Sequence, residues 1–207
     1  MRNKIRIVVV VGVVVVVNAL LIFNVSGVIS THKEEVKLPK LALATGDLVF
    51  RNGHGLISKM FQNCSLKEKK YGHTGLVIIK DNIPYVAHVQ QDRPGAALVV
   101  EQLSQFWNKS VCDEGALYRL DLNSSQKKIF TSLIHLNLKK NLLFDAKFDM
   151  DEHGHVYCSE WIRDLVVEAT EDSSYFPISV AGEFKYIAPD NLYLNEHAQL
   201  IYNYSKE

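Results

Sequence analysis

The hydrophobic pattern changes period three times along the chain, and each change marks a boundary. Residues Ile7–Val17 are apolar throughout apart from Gly12, and Ala19-Leu20-Leu21-Ile22-Phe23 continues the run after Asn18. Such a run reaches across a bilayer core of ~30 Å at ~1.5 Å per residue. Arg2, Lys4 and Arg6 precede it, which sets the N-terminus in the cytoplasm and the remainder outside. Residues 1–27 therefore read as a signal anchor, or as a signal peptide cut near Val25-Ser26-Gly27. The lack of an Ala-x-Ala site favours the anchor. Residues 28–40 are mostly polar, include Pro39 and read as a linker; residues 41–207 make one domain.

Within that domain, alternation and helical spacing take turns. Leu48-Val49-Phe50 begins a strand after the turn Thr45-Gly46-Asp47. Leu56, Ile57, Met60 and Phe61 then describe a short amphipathic helix. His73–Ile79 and Ile83–Val89 are strands joined by a turn at Asp81-Asn82, so they predict an antiparallel hairpin. A further strand is expected over Ala96–Val100, a short helix over Leu103–Trp107, and a strand over Gly115–Leu120. Asn123 or Ser124 caps a helix whose Ile129, Phe130, Leu133, Ile134, Leu136 and Leu138 should face the core. After Cys158, Ile162, Leu165, Val166 and Ala169 recur at helical spacing. Phe176-Pro177-Ile178 reads as a surface segment, Glu183–Ala188 as extended, and Gln199–Tyr204 as a terminal strand. The sum is an α+β domain.

The chemistry gathers at two of these elements. Cys158 stands in the first turn of its helix, where unpaired N–H groups and the helix dipole favour a thiolate. A nucleophilic thiol ordinarily works with an imidazole that a third polar group orients. The hairpin brings His73 and His88 to the same open end, so imidazole, orienting group and cysteine can converge. Glu101 competes with His88 for the third position but lies a whole strand further on. Taken singly, either histidine is equally well explained as a structural side chain.

These residues also carry a resemblance. Gly46-Asp47-Leu48-Val49-Phe50, His73-Thr74-Gly75, His88, Leu143-Phe144-Asp145, Tyr157-Cys158-Ser159-Glu160 and Ala188-Pro189-Asp190-Asn191-Leu192 occur in the order found in permuted papain-like amidases of the YaeF/YiiX type. Those are relatives of the NlpC-type cell-wall hydrolases. The resemblance spans Leu43 to Leu194. It implies a circularly permuted papain-like fold, with an antiparallel sheet or open barrel packed on the cysteine helix. It implies Cys158 as nucleophile, His73 as base and His88 as third member, with Tyr157, Ser159 and Glu160 beside the oxyanion site or cleft. The third residue is often Glu in the YiiX type. His at this position is similar to lecithin:retinol acyltransferase-like proteins, which keeps acyl transfer open beside hydrolysis.

Composition narrows the partners. Lys and Arg number 23 against 23 Asp and Glu, so no global field argues for nucleic acid. Lys59, Lys67, Lys69 and Lys70 form a local basic patch, either a solvated face or a contact with anionic lipid heads or a wall polymer. His54 and His135 read as solvated or structural. Asp145, Asp149, Asp151, Glu152, His153 and His155 invite a metal reading, but their spacing matches no compact site, and a solvated acidic loop walling the cleft is preferred. The expected chemistry needs no metal and no organic cofactor. Three cysteines leave either a Cys64–Cys112 disulfide with Cys158 free, or three thiols. The expectation is a membrane-anchored or exported cysteine amidase or peptidase, acting outside the cytoplasm on cell-envelope peptide or lipid-linked amide. A thiol acyltransferase and an inactive binding module on the same fold are the alternatives.

Overall fold

The computed structural model describes residues 41–93, 96–148, 150 and 154–205. The expected anchor or signal segment (1–27) and linker (28–40) lie outside the described residues, as do Asp149, Asp151, Glu152 and His153 of the acidic loop. Among the described residues no helix is long and apolar enough to cross a membrane.

In chain order the elements are β1 (Leu48–Arg51), α1 (Leu56–Cys64), β2 (His73–Lys80), β3 (Ile83–Arg93), β4 (Ala96–Gln102), α2 (Leu103–Phe106), β5 (Glu114–Leu120) and α3 (Ser124–Asn137). Then come β6 (Leu143–Phe144), β7 (His155–Val156), α4 (Cys158–Thr170), β8 (Ser179–Ala181), β9 (Phe184–Tyr186), α5 (Pro189–Tyr193) and β10 (Ala198–Ser205). Six strands form one sheet in the order β10-β5-β1-β2-β3-β4, with every neighbouring pair antiparallel. The fold is α+β.

The β2–β3 turn explains itself. Asp81 and Asn82 have φ of 52° and 60°, the left-handed pair of a two-residue hairpin loop, and short polar side chains tolerate that conformation best. The sheet separates two cores. Leu48, Phe50, Leu76, Ile78 and Ala87 face α3 and α4, whose Phe130, Ile134, Ile162, Leu165 and Val166 cover them. Val49, Val77, Val86 and Leu117 face the other way, onto Leu103, Phe106, Trp107 and Cys112. The alternation follows from the period-2 pleat.

Two sequence expectations change here. Ile129 and Leu136 of α3 are 44% and 54% exposed, whereas Asn137 is buried. Asn137 satisfies its amide by donating to Leu133 O and accepting from Trp161 Nε1, so a polar residue takes the core-facing position. Phe176, expected at the surface, is buried. Cys64 is exposed, whereas Cys112 is buried in the second core and Cys158 in the first.

The Gly-Asp motif before β1 is structural. Gly46 has φ of 96°, a conformation that suits glycine. Asp47, buried, accepts from Arg119 Nε and NH2 at 2.7 Å each, and from the Ala44 N–H at 2.8 Å. That bidentate pair ties the turn to β5 at the end of the sheet remote from the cysteine.

Candidate active site

Cys158 is the first residue of α4, and the helix begins there for a local reason. Tyr157 is the extended N-cap residue, with φ of −115° and ψ of 173°. Glu160, three residues on, turns its carboxylate back onto the Tyr157 N–H at 3.3 Å. The Tyr157 ring is buried against Phe61 and Phe148, and its hydroxyl accepts the Ile187 N–H at 2.8 Å. Tyr157 and Glu160 are thus engaged in seating the helix. Ser159 is the one of the three expected cleft residues with a side chain at the sulfur: Ser159 Oγ lies 3.9 Å from Cys158 Sγ.

The two histidines do meet. His73 Nε2 lies 2.8 Å from His88 Nδ1, with the rings nearly perpendicular. Both rings pack against Phe106, His73 stacked at 5.7 Å and His88 edge-on at 5.2 Å between centroids. Gly75 makes this possible. A Cβ on Gly75 would lie 2.9 Å from His88 Cβ and 2.7 Å from the Ala87 carbonyl oxygen, so only glycine lets β3 and its imidazole approach so closely. That is the physical content of the His-Thr-Gly spacing.

The helix that Cys158 begins packs against β2 and β3, the strands that carry the two histidines. Their pairing runs from Lys80↔Ile83 to Leu76↔Ala87 and stops there, short of residues 73–75. The backbone N–H of Thr74, next to His73, acts on Cys158 to favour its thiolate. Register places His73 opposite Arg51 on the face of the second core, while Cys158 belongs to the first. Among the described residues no hydrogen bond joins Cys158 Sγ to the His73 ring. Such contacts are often long without substrate and tighten when it binds.

Burial sets the protonation states. It pushes the Cys158 thiol up, against the opposing pull of the Thr74 N–H, the Ser159 hydroxyl and the N–H groups of Ser159 and Cys158. Burial also holds the His73 imidazole well below its ordinary range, helped by the Arg51 charge and then by His88. The resting state is a neutral thiol beside a neutral imidazole. Desolvation thus opposes the thiolate that the helix-end N–H groups favour.

Sequence reasoning ranked Glu101 behind His88; the structure places both in the same row. His88 Nε2 is 3.1 Å from Glu101 Oε1, and Arg51 NH1 is 3.6 Å from the same oxygen. Strand β4 pairs Val99 with His88, which puts Glu101 two residues along on the same face. The remaining sequence candidates lie elsewhere. His54 bonds to Asp113 and the Ser110 carbonyl, and His135 is exposed on α3. Asp145 is buried, caps the Lys147 N–H and joins β7 through its own N–H.

No family model matches the chain, and no curated protein matches its sequence. Among solved structures, the fold is similar to a crystal structure described as metalloprotein YiiX from Escherichia coli O157:H7. The TM-score is 0.61 at 15% identity, over 78% of this chain and 98% of that one. The likeness is one of fold.

Proposed function

We propose that this domain is a cysteine hydrolase of the YiiX type that cleaves an amide or ester through an acyl-enzyme on Cys158. The observation that carries the reading is a buried His73–His88 pair, 2.8 Å apart, on two strands against which the helix begun by Cys158 packs. A satisfied structural histidine pair has no need of a cysteine at the mouth of its strand. A structural cysteine has no need of a broken strand pairing.

In the proposed sequence the substrate carbonyl enters over α4. His73 takes the thiol proton as sulfur attacks, which requires no preformed ion pair. The N–H groups of Cys158 and Thr74 are the oxyanion donors. Imidazolium His73 then protonates the leaving amine or alcohol, and a water, deprotonated by His73, resolves the thioester. His88 holds the His73 ring throughout. Ser159 lies close enough to the sulfur to steady the thiolate as it forms.

The solved relative is described as a metalloprotein, so the donor set needs testing. Among the described residues no group of three or more His, Cys, Asp or Glu side chains is placed to hold a metal ion. Nε2 of His73 and Nδ1 of His88 face each other at hydrogen-bond distance, and Nε2 of His88 faces a carboxylate. These residues as arranged do not fit a metal, and no step is routed through one.

A histidine in the third position also supports acyl transfer, so the acceptor is the point to test. Purified domain is given a thioester or amide substrate in water with added alcohol or amine. Hydrolysis predicts free acid as the main product, with Cys158→Ala inactive. Product carrying the added alcohol or amine favours transfer. Turnover unchanged in Cys158→Ala contradicts both. The cell-envelope substrate and the site outside the cytoplasm rest on the N-terminal apolar run and its basic flank. Fractionation of the full chain with cells tests them.

A further inference from the structure

Four adjacent strands each send one side chain into a single row. Arg51 of β1 is the register partner of His73 of β2; His88 follows from β3 and Glu101 from β4. The contacts run His73 Nε2 to His88 Nδ1 at 2.8 Å, His88 Nε2 to Glu101 Oε1 at 3.1 Å, and Glu101 Oε1 to Arg51 NH1 at 3.6 Å. Arg51 is fixed at the far side, donating to the Phe106 carbonyl at 2.9 Å and lying 4.2 Å over the Phe106 ring. The row closes on itself, because Phe106 also packs against both imidazoles.

We propose that Glu101, held by Arg51, is a positioning residue that fixes the tautomers of both histidines and so selects Nδ1 of His73 as the base. The argument is one of donors and acceptors. Glu101 Oε1 lies at ion-pair distance from His88 Nε2, and an ionised carboxylate only accepts, so it favours the proton on His88 Nε2. Neutral His88 then has its lone pair on Nδ1. That lone pair accepts the Nε2–H of His73, and neutral His73 keeps its lone pair on Nδ1, the nitrogen left to meet the thiol. In the reaction the S–H bond breaks, an Nδ1–H bond forms, and the His73 imidazolium keeps its Nε2–H on His88. Without an acceptor at residue 101, His88 can carry its proton on Nδ1 instead. It would then occupy the Nε2 lone pair of His73 and leave Nδ1–H facing the sulfur, the wrong tautomer for a base.

The groups acting on His73 are Arg51 from β1 and His88 from β3, with Glu101 of β4 beside His88. Arg51 disfavours the imidazolium, and burial works against its own charge, with Glu101 the first-ranked counterweight. Loss of the carboxylate therefore leaves Arg51 uncompensated and harder on imidazolium formation. The proposal rests on the reading of Cys158 and His73 as nucleophile and base, but its first test needs no turnover.

That test is a long-range proton–nitrogen correlation spectrum of protein labelled with 15N-histidine, at neutral pH. The wild type should show both His73 and His88 as Nε2–H tautomers. Glu101→Leu, which removes the acceptor at similar volume, should shift His88 towards Nδ1–H or a mixture. Glu101→Gln, which keeps an acceptor oxygen, should restore Nε2–H. Rate measurements should show kcat falling about 10-fold or more in Glu101→Leu with KM little changed, and partial recovery in Glu101→Gln. A wild-type spectrum with His88 protonated at Nδ1 overturns the proposal even if no variant folds, and so does a tautomer unmoved in Glu101→Leu. The expected tautomers in a protein that turns over nothing would sink the hydrolase reading alone.

Discussion

His73 Nε2 and His88 Nδ1 lie 2.8 Å apart with both rings buried, so one nitrogen must donate and the other accept. Two charged imidazoles cannot share that contact. The pair is stable only with both rings neutral, or with one proton beyond that, which is the stoichiometry of a base that accepts a single proton. Replacing His88 with Ala removes the orienting partner and should lower the acylation rate by about 10²-fold with little change in KM. His88→Asn, whose amide oxygen can still accept from His73, should recover part of the loss. Rates that are equal in the wild type and His88→Ala would remove His88 from the mechanism.

Gly75 should be as sensitive as the histidines although it has no side chain. A Cβ there meets the Ala87 carbonyl at 2.7 Å and His88 Cβ at 2.9 Å, so β3 must move away from β2. Gly75→Ala should lengthen the His73–His88 contact and cost about 1–3 kcal/mol of stability, the usual scale of overpacking. Thermal melting reads the stability, and the acylation rate at a temperature where the variant remains folded reads the site. An unchanged melting temperature would mean that the strands are not in close contact here.

The thiol should titrate high. Burial raises Cys158, so in Cys64→Ser protein its iodoacetamide labelling should rise only above the ordinary thiol range near ~8.5. His73→Ala should move that midpoint little, because the resting pair is neutral. Activity should behave differently. It needs neutral His73, whose imidazole is held well below its ordinary range, so the acid limb of the rate profile should fall well under pH ~6.5. A labelling midpoint below neutrality that collapses in His73→Ala would establish an ion pair and contradict this state assignment.

Glu160 gives stability an unusual slope. Burial and then the Asp164 charge push its carboxyl up to about 8 in the folded chain, from an ordinary 4.5. Between those values the folded state holds a proton that the unfolded state has released, so stability falls as pH rises from about 4.5 to about 8 and is flat beyond. Glu160→Gln keeps an oxygen for the Tyr157 N–H and has nothing to ionise. Its stability relative to wild type should therefore grow across that window in urea titrations. A difference independent of pH would show that Glu160 is charged in the native protein.

How much of this could be read from the chain depends on which interactions are local. The β2–β3 hairpin is local: Asp81 and Asn82 announce the turn, and the alternation on either side brings His73 and His88 to one end. The helix start at Cys158 is local too, set by Tyr157 and Glu160. The place of Glu101 is not, because β3 and β4 are joined through residues where the register slips between Val89 and Arg93. No spacing rule shows which residue of the next strand faces His88 across such an irregularity. The burial that opposes a Cys158 thiolate is not legible for a related reason. The helix end is visible in sequence, but the depth of burial that opposes it is a property of the packed core. Asn137 took a core position from Ile129 and Leu136 because its partner, Trp161 Nε1, lies on another helix. Of the β8–β9 hairpin only β9 is legible, inside the extended run Glu183–Ala188; β8 is not, because Val180 is exposed and no apolar alternation marks it.

The central claim is that Cys158 becomes acylated with His73 as base, and a pre-steady-state burst tests it most directly. Cys64→Ser protein, free of the exposed thiol, is mixed with an activated 4-nitrophenyl ester, and the labelled peptide is located by mass spectrometry. The account predicts a burst of one equivalent with the acyl group on Cys158, abolished in Cys158→Ala and slowed about 10²-fold or more in His73→Ala. Absence of any acyl group on Cys158, or acylation at a rate that His73→Ala leaves unchanged, would contradict it and leave a binding module on this fold.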